Sequence, residues 1–138
     1  FLGPDELDLE IQIKERIRQP SFYIIKDKLE KIIALISKCN IFISNDSFLM
    51  HVSSALGIYT IAIFGSTSHI LQMIKSENNK MLYLYKNLEC RPCWTSNPVV
   101  CKYNDFRCLE QITVKEVIAA FDDMLNKVLE NKIKFIKN

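Results

Sequence analysis

The stretch IFISNDSFLMHVSSALGIYTIAIFGST, residues 41–67, decides the fold. Ile41-Phe42-Ile43 is an apolar, β-branched and aromatic run of strand length. Asn45, Asp46 and Ser47 follow, and these are residue types whose side-chain oxygens accept the free amides of a first helical turn. A helix is therefore expected from Ser47 to Leu56, stopped at Gly57 by a left-handed cap. Tyr59-Thr60-Ile61-Ala62-Ile63-Phe64 is apolar on both alternating faces, which is how a strand reads when helices cover the sheet on both sides. Strand, helix and strand in this order form a unit that closes into a parallel sheet.

Working outward, the same alternation continues in both directions. On the amino-terminal side, Asp27 and Glu30 have the spacing of a capping box, with Leu29, Ile32, Ile33, Leu35 and Ile36 behind them as the apolar face of a helix. Phe22-Tyr23-Ile24-Ile25 reads as a short buried strand or an extended connection. A further helix over residues 5–18 is acidic at its start and basic at its end, matching the helix dipole. Phe1-Leu2-Gly3-Pro4 reads as a strand end running into a turn, so the chain is expected to be cut from something longer. On the carboxyl-terminal side come a helix over 68–75, a strand over 81–84 and a cysteine-bearing loop over 87–108. A second capping box, Thr113 with Glu116, opens a long helix on Val114, Val117, Ile118, Phe121, Leu125 and Val128. The fold class is α/β, a Rossmann-like doubly wound parallel sheet, read as a single domain over residues 1–138.

Composition narrows the function. The 138 residues are 49% hydrophobic and 25% charged, with three glycines and four prolines, as in an ordinary globular chain. A net charge of +2 is too small for a nucleic-acid surface. Lys127, Lys132, Lys134 and Lys137 gather near the end, as a solvated helix terminus or as weak attraction to an anionic membrane face. No apolar run reaches the roughly 18 residues of a membrane span, and Phe1 opens no signal-peptide pattern. A lysine-bearing glycine-rich phosphate loop and a Gly-x-Gly-x-x-Gly fingerprint are both absent, which disfavours P-loop NTPases and dinucleotide oxidoreductases.

In doubly wound sheets ligands bind outside the carboxyl ends of the strands. Two loops leave those ends here, Ser44 to Ser47 and Gly65 to Ser68. At the first, Asp46 and Ser47 either cap the helix or, with its free amides and positive dipole end, hold an anion. His51 lies one turn beyond Ser47 on the same helical face, either as a structural hydrogen-bonder or as a donor to a phosphate or a sugar hydroxyl. At the second loop, Gly65 permits close backbone approach, and Ser66 and Thr67 bring two hydroxyls.

FISNDSFLMHVSSALGIYTIAIFGSTS, then LECRPC, a later cysteine pair and ITVKEV, resembles the C-terminal domain of the lipopolysaccharide heptosyltransferases, glycosyltransferase family 9. The resemblance covers roughly residues 1–120. It implies the C-terminal half of a two-domain GT-B enzyme, working in the cytoplasm and touching the inner membrane peripherally. Such an enzyme transfers heptose from ADP-heptose to the lipopolysaccharide inner core with inversion and requires no metal. Carried over by motif, Asp46, Ser47, Phe48 and His51 fall at the donor-binding helix start, and Gly65, Ser66 and Thr67 on the second donor loop. Glu6 falls where an acidic residue holds ribose hydroxyls; without the resemblance it is a first-turn acid suited to the helix dipole. The general base and the acceptor site belong to the N-terminal domain, so the isolated fragment is expected to be inactive and no catalytic residue is assigned within it. Three positions depart from the family: Phe48 stands for a usual Gly, Ser66 for Pro and Ser68 for Asp. They keep open a different nucleotide sugar as donor.

Cys39 reads as a small buried hydrophobe. Cys90, Cys93, Cys101 and Cys108 have spacing compatible with a tetrahedral zinc site, and the alternative function is a zinc-stabilised interaction module without transfer activity. The resembled family is not known for metal binding, so the expectation is that no metal is held. Trp94 is expected to pack the loop down.

Overall fold

A computed structural model describes residues 1–3, 6–72, 80–94 and 100–137. The chain divides into two compact units, residues 1–38 and 39–138.

The first unit contains two helices, α1 (Leu7–Arg16) and α2 (Leu29–Ile36). Asp8 and Glu10 lie in the first turn of α1, and Lys14 and Arg16 in its last, the charge order the sequence predicts. None of its residues is buried. Its Glu10 pairs with Lys14 at 2.6 Å and Lys26 at 3.2 Å. The expected capping box at α2 does not form. Asp27 instead accepts from the Lys28 amide at 2.8 Å and pairs with Lys31 at 3.1 Å. Lys28 takes the cap position, without a side-chain bond to the helix. Residues 22–25 are an extended connection rather than a buried strand. Ile25 accepts one backbone bond from Leu2 at 3.1 Å, while Tyr23 is 76% exposed.

The second unit carries the sheet. Strands β1 (Ile41–Asn45), β2 (Tyr59–Ile63) and β3 (Met81–Leu84) are all parallel, in the order β1-β2-β3, with Ile61 opposite both Ile43 and Leu82. Helix α3 (Phe48–Ala55) joins β1 to β2, and α4 (His69–Gln72) follows β2. The helix predicted over 68–75 extends past α4 into residues outside the described set. Helices α5 (Arg107–Glu110) and α6 (Val114–Lys137) complete the unit.

Strand alternation sends successive β2 side chains to opposite faces. Ala62 meets Met50 of α3, together with Phe64, while Ile61 meets Ala120 and Met124 of α6. Both faces of β2 are therefore covered, as its unbroken apolar run requires, and the arrangement is Rossmann-like. The polar residues at this packed joint are satisfied. Ser53 Oγ lies 2.8 Å from the Met50 carbonyl and 2.9 Å from Thr60 Oγ1, and Thr60 in turn bonds the Ile58 carbonyl at 3.0 Å. Gly57 ends α3 at φ +69°, the left-handed cap that glycine adopts without a Cβ penalty. The Thr113–Glu116 box forms in both directions: Glu116 Oε2 accepts the Thr113 amide at 2.8 Å, and Thr113 Oγ1 accepts the Glu116 amide at 3.2 Å. Among the described residues no helix is long and apolar enough to cross a membrane.

Candidate functional site

The carboxyl ends of β1 and β2 open into a groove of about 430 Å³ lined by Asn45, Asp46, Ile63, Gly65, Ser66, Thr67, Trp94 and Leu109. The parallel pairing places it there. Asn45 lies opposite Ile63 at the end of the register, and the Asp46 amide donates to the Ile63 carbonyl at 3.0 Å. The chain therefore leaves both strands at one level, and Asp46 is held beside the Gly65–Thr67 loop.

Neither Asp46 nor Ser47 caps α3 through its side chain. Ser47 is the cap residue by position, but its hydroxyl lies 3.1 Å from that of Ser44 and makes no bond to the helix. Asp46 is half-buried, and among the described residues its carboxylate has no hydrogen-bond or ion-pair partner. A carboxylate accepts only, so it is open to a donor from outside the chain.

Gly65 has a structural reason in addition to ligand approach. A Cβ built there would lie 2.9 Å from Leu109 Cγ, closer than real Cβ atoms come. The glycine lets Leu109 of α5 lie across the loop. The loop is also pinned from the cysteine-bearing segment. The Ser66 carbonyl accepts the amides of Cys93 at 2.9 Å and Trp94 at 3.3 Å. Arg91 donates Nη2 to the Thr67 carbonyl at 2.9 Å and Nη1 to the Lys86 carbonyl at 2.6 Å. The same guanidinium lies 5.3 Å from the Tyr85 ring, which stacks on His69 at 3.7 Å. Burial, and then the charge of Arg91, lowers the pKa of His69 below its ordinary value.

Of the residues expected from sequence, Asp46, Gly65, Ser66 and Thr67 are brought together in the groove. Ser47 adjoins it through Ser44. Phe48 is 59% exposed at the start of α3, so it is not a core residue, and it does not line the groove. His51 is half-buried on α3, away from the groove lining. Glu6 belongs to the first unit, where its carboxylate accepts the Gly3 amide at 2.5 Å. Trp94 and Leu109 in the groove lining, and Arg91 on its loop, were not anticipated in those roles. Trp94 is 53% exposed, so the expectation that it packs the loop down is corrected. Leu109 and Arg91 carry no local pattern that marks them, since each acts on a loop distant in sequence.

None of the five cysteines forms a disulfide. Among the described residues no three His, Cys, Asp or Glu side chains gather as a metal-holding group. Cys108 is buried, which raises its pKa, whereas the backbone amides of Phe106, Tyr103 and Asp105 lower that of Cys101. Cys39 is half-buried rather than fully enclosed.

The described family "Glycosyltransferase family 9 (heptosyltransferase)" matches residues 6–103, well over half of the chain. Lipooligosaccharide heptosyltransferase 2 of Campylobacter jejuni serotype O:2 is 32% identical over 91 residues, covering 65% of this chain and 27% of the relative. The protein of the same description from serotype O:6 is 32% identical over 83 residues, 60% of this chain and 25% of its own length. The chain thus spans about a quarter of the length of the curated relatives it matches. No solved structure matches it significantly. With both strand-end loops inside the matched region, the chain belongs to glycosyltransferase family 9, the heptosyltransferase family.

Proposed function

We propose that this chain is the donor-binding part of an inverting, metal-independent glycosyltransferase that moves heptose from ADP-heptose to the inner core of lipopolysaccharide. The observation that carries the proposal is the half-buried Asp46 carboxylate, without a partner among the described residues, beside the Gly65–Thr67 loop at the carboxyl ends of two parallel strands. The division of labour follows from hydrogen-bond chemistry. A diphosphate at neutral pH presents acceptors, which suit the hydroxyls of Ser66 and Thr67 and the free amides at the start of α3. Sugar hydroxyls donate, which suits Asp46. As the glycosidic bond to the diphosphate breaks, negative charge grows on the leaving group, and preorganised donors lower the barrier by meeting it. In this scheme Ser47, Phe48 and His51 form the helix-side margin of the donor site. The acceptor and its general base are supplied by the N-terminal domain, and the enzyme works at the cytoplasmic face of the inner membrane.

A second donor is favoured by one observation. Phe48 stands exposed at the helix start, where the resembled family usually has Gly, and a different nucleotide sugar would account for it. Calorimetric titration of the chain with ADP-heptose, UDP-glucose and GDP-mannose decides between the two. ADP-heptose is expected to bind at least about tenfold more tightly than the others, a difference of about 1.4 kcal/mol. Tighter binding of a uridine or guanosine conjugate overturns the adenine assignment. Sugar transfer by the chain alone would overturn the placement of the base outside it.

A further inference from the structure

We infer that Trp94, with Leu109, forms an apolar platform against which the sugar ring of the donor stacks, making Trp94 a specificity-determining residue of the groove. The inference rests on the donor-site reading above and adds which part of the ligand lies where.

Three observations converge. Trp94 is the sole tryptophan of the sequence, it is 53% exposed, and it lines the groove. Leu109, 45% exposed, lines the same groove, so the cleft that holds Asp46, Ser66 and Thr67 also carries an apolar wall. Large apolar side chains left accessible in a concave site are typical of ligand contacts.

The platform is also positioned. Its backbone is tied to Ser66 through the amides of Cys93 and Trp94, and Arg91 bonds Thr67 just before it. Leu109 is fixed over Gly65 by contact with a position that has no room for a Cβ. Both apolar residues are thus registered to the Gly65–Thr67 loop.

The lining distinguishes the sugar from the other parts of a nucleotide-sugar donor. Asp46 accepts hydrogen bonds and cannot bond an ionised diphosphate, whereas a pyranose offers several hydroxyl donors. The same pyranose offers a C–H face to an aromatic ring, whose π surface carries partial negative charge. A carboxylate with an amide neighbour, Asn45, beside an apolar wall is the pairing a hydroxylated ring needs. The diphosphate then lies toward Ser66, Thr67 and the start of α3, and the base beyond it.

The test compares ADP with ADP-heptose on the full chain, by calorimetry and by the emission of its single tryptophan. In the wild type, ADP-heptose is expected to shift and quench Trp94 emission more than ADP does. Trp94→Ala is expected to weaken ADP-heptose by about tenfold and to leave ADP within about twofold, while Trp94→Phe keeps most of the affinity. Equal loss for both ligands, or no loss for either, overturns the assignment, as does ADP-heptose binding that leaves wild-type emission unchanged. The wild-type emission result stands even where Trp94→Ala fails to fold. Absence of binding by either ligand overturns the donor-site reading itself and this inference with it.

Discussion

The two ends of the sheet in the larger unit carry cavities of opposite character. At the amino ends of the strands, Cys39, Asn40, Gly57, Ile58, Tyr59, Val128, Asn131, Lys132 and Phe135 enclose about 510 Å³. At the carboxyl ends the groove is smaller, about 430 Å³. Size alone favours the first. Two of its lining groups, however, are already engaged: Asn131 donates to the Tyr59 hydroxyl, and the Gly57 carbonyl accepts from Lys80 at 2.7 Å. The carboxyl-end groove instead holds Asp46, whose carboxylate lacks a partner among the described residues. A buried or half-buried polar group gains from a ligand only if its bonding capacity is unspent. Topology agrees, because in parallel sheets the loops at the carboxyl ends are free to vary while the strands hold them in register.

Substitutions at the two ends put this contrast at risk. The largest effect is expected from Phe64→Ala, at the fully buried residue that follows β2 into the groove loop. It should cost about 3–5 kcal/mol of stability through the cavity it leaves, measured by denaturant unfolding. Asp46→Ala should weaken ADP-heptose binding by about 30-fold, in the range for a hydrogen bond to a charged group, with stability unchanged. An affinity within about twofold of wild type would remove the carboxyl-end groove as the donor site. Gly65→Ala should destabilise the chain by about 1–3 kcal/mol, because the new methyl overlaps Leu109. Adding Leu109→Ala should recover part of that loss, and an absence of recovery would show that the backbone, rather than Leu109, demands glycine. At the other end, Phe135→Ser should leave donor affinity within about twofold, since Phe135 is 86% exposed on the far side of the sheet.

The smallest effect concerns pH. Hydrogen bonds from Lys86, and then from the Thr113 amide and hydroxyl, lower the Glu116 pKa to about 2, well below the ordinary carboxylate range. An acid depressed on folding stabilises the native state above its unfolded pKa and loses that contribution as pH falls through the folded one. Stability should therefore decline between about pH 4.5 and 2, and thermal melts of Glu116→Gln should show a shallower decline over that window. Because the group is solvent-accessible, the difference should be modest.

Much of this architecture was readable in the sequence. The strands at 41, 59 and 81 were legible because apolar runs of strand length stand between helical periods, and Gly57 and the Thr113–Glu116 box because they are local stereochemistry. Asp27 was misread for the same reason that it attracted notice. A capping residue needs the right backbone angles as well as an oxygen, and its carboxylate found the Lys28 amide and the Lys31 ammonium first. For the site, the sequence named Asp46, Gly65, Ser66 and Thr67, since strand-end loops follow from alternation. The family resemblance placed Phe48 beside them, and helical spacing also placed His51 there; neither lines the groove itself.

What the sequence by itself determined, then, is the order of strands and helices, the two loops at the carboxyl ends, and the family. These depend on patterns within a few residues or on motif spacing. Only the tertiary structure decided that Asp46 has no partner among the described residues, that Leu109 occupies the space beside Gly65, and that Trp94 stands in the groove pinned to Ser66. Each is a contact, or the absence of one, between segments far apart along the chain, and such relations exist only once the sheet has brought the segments together.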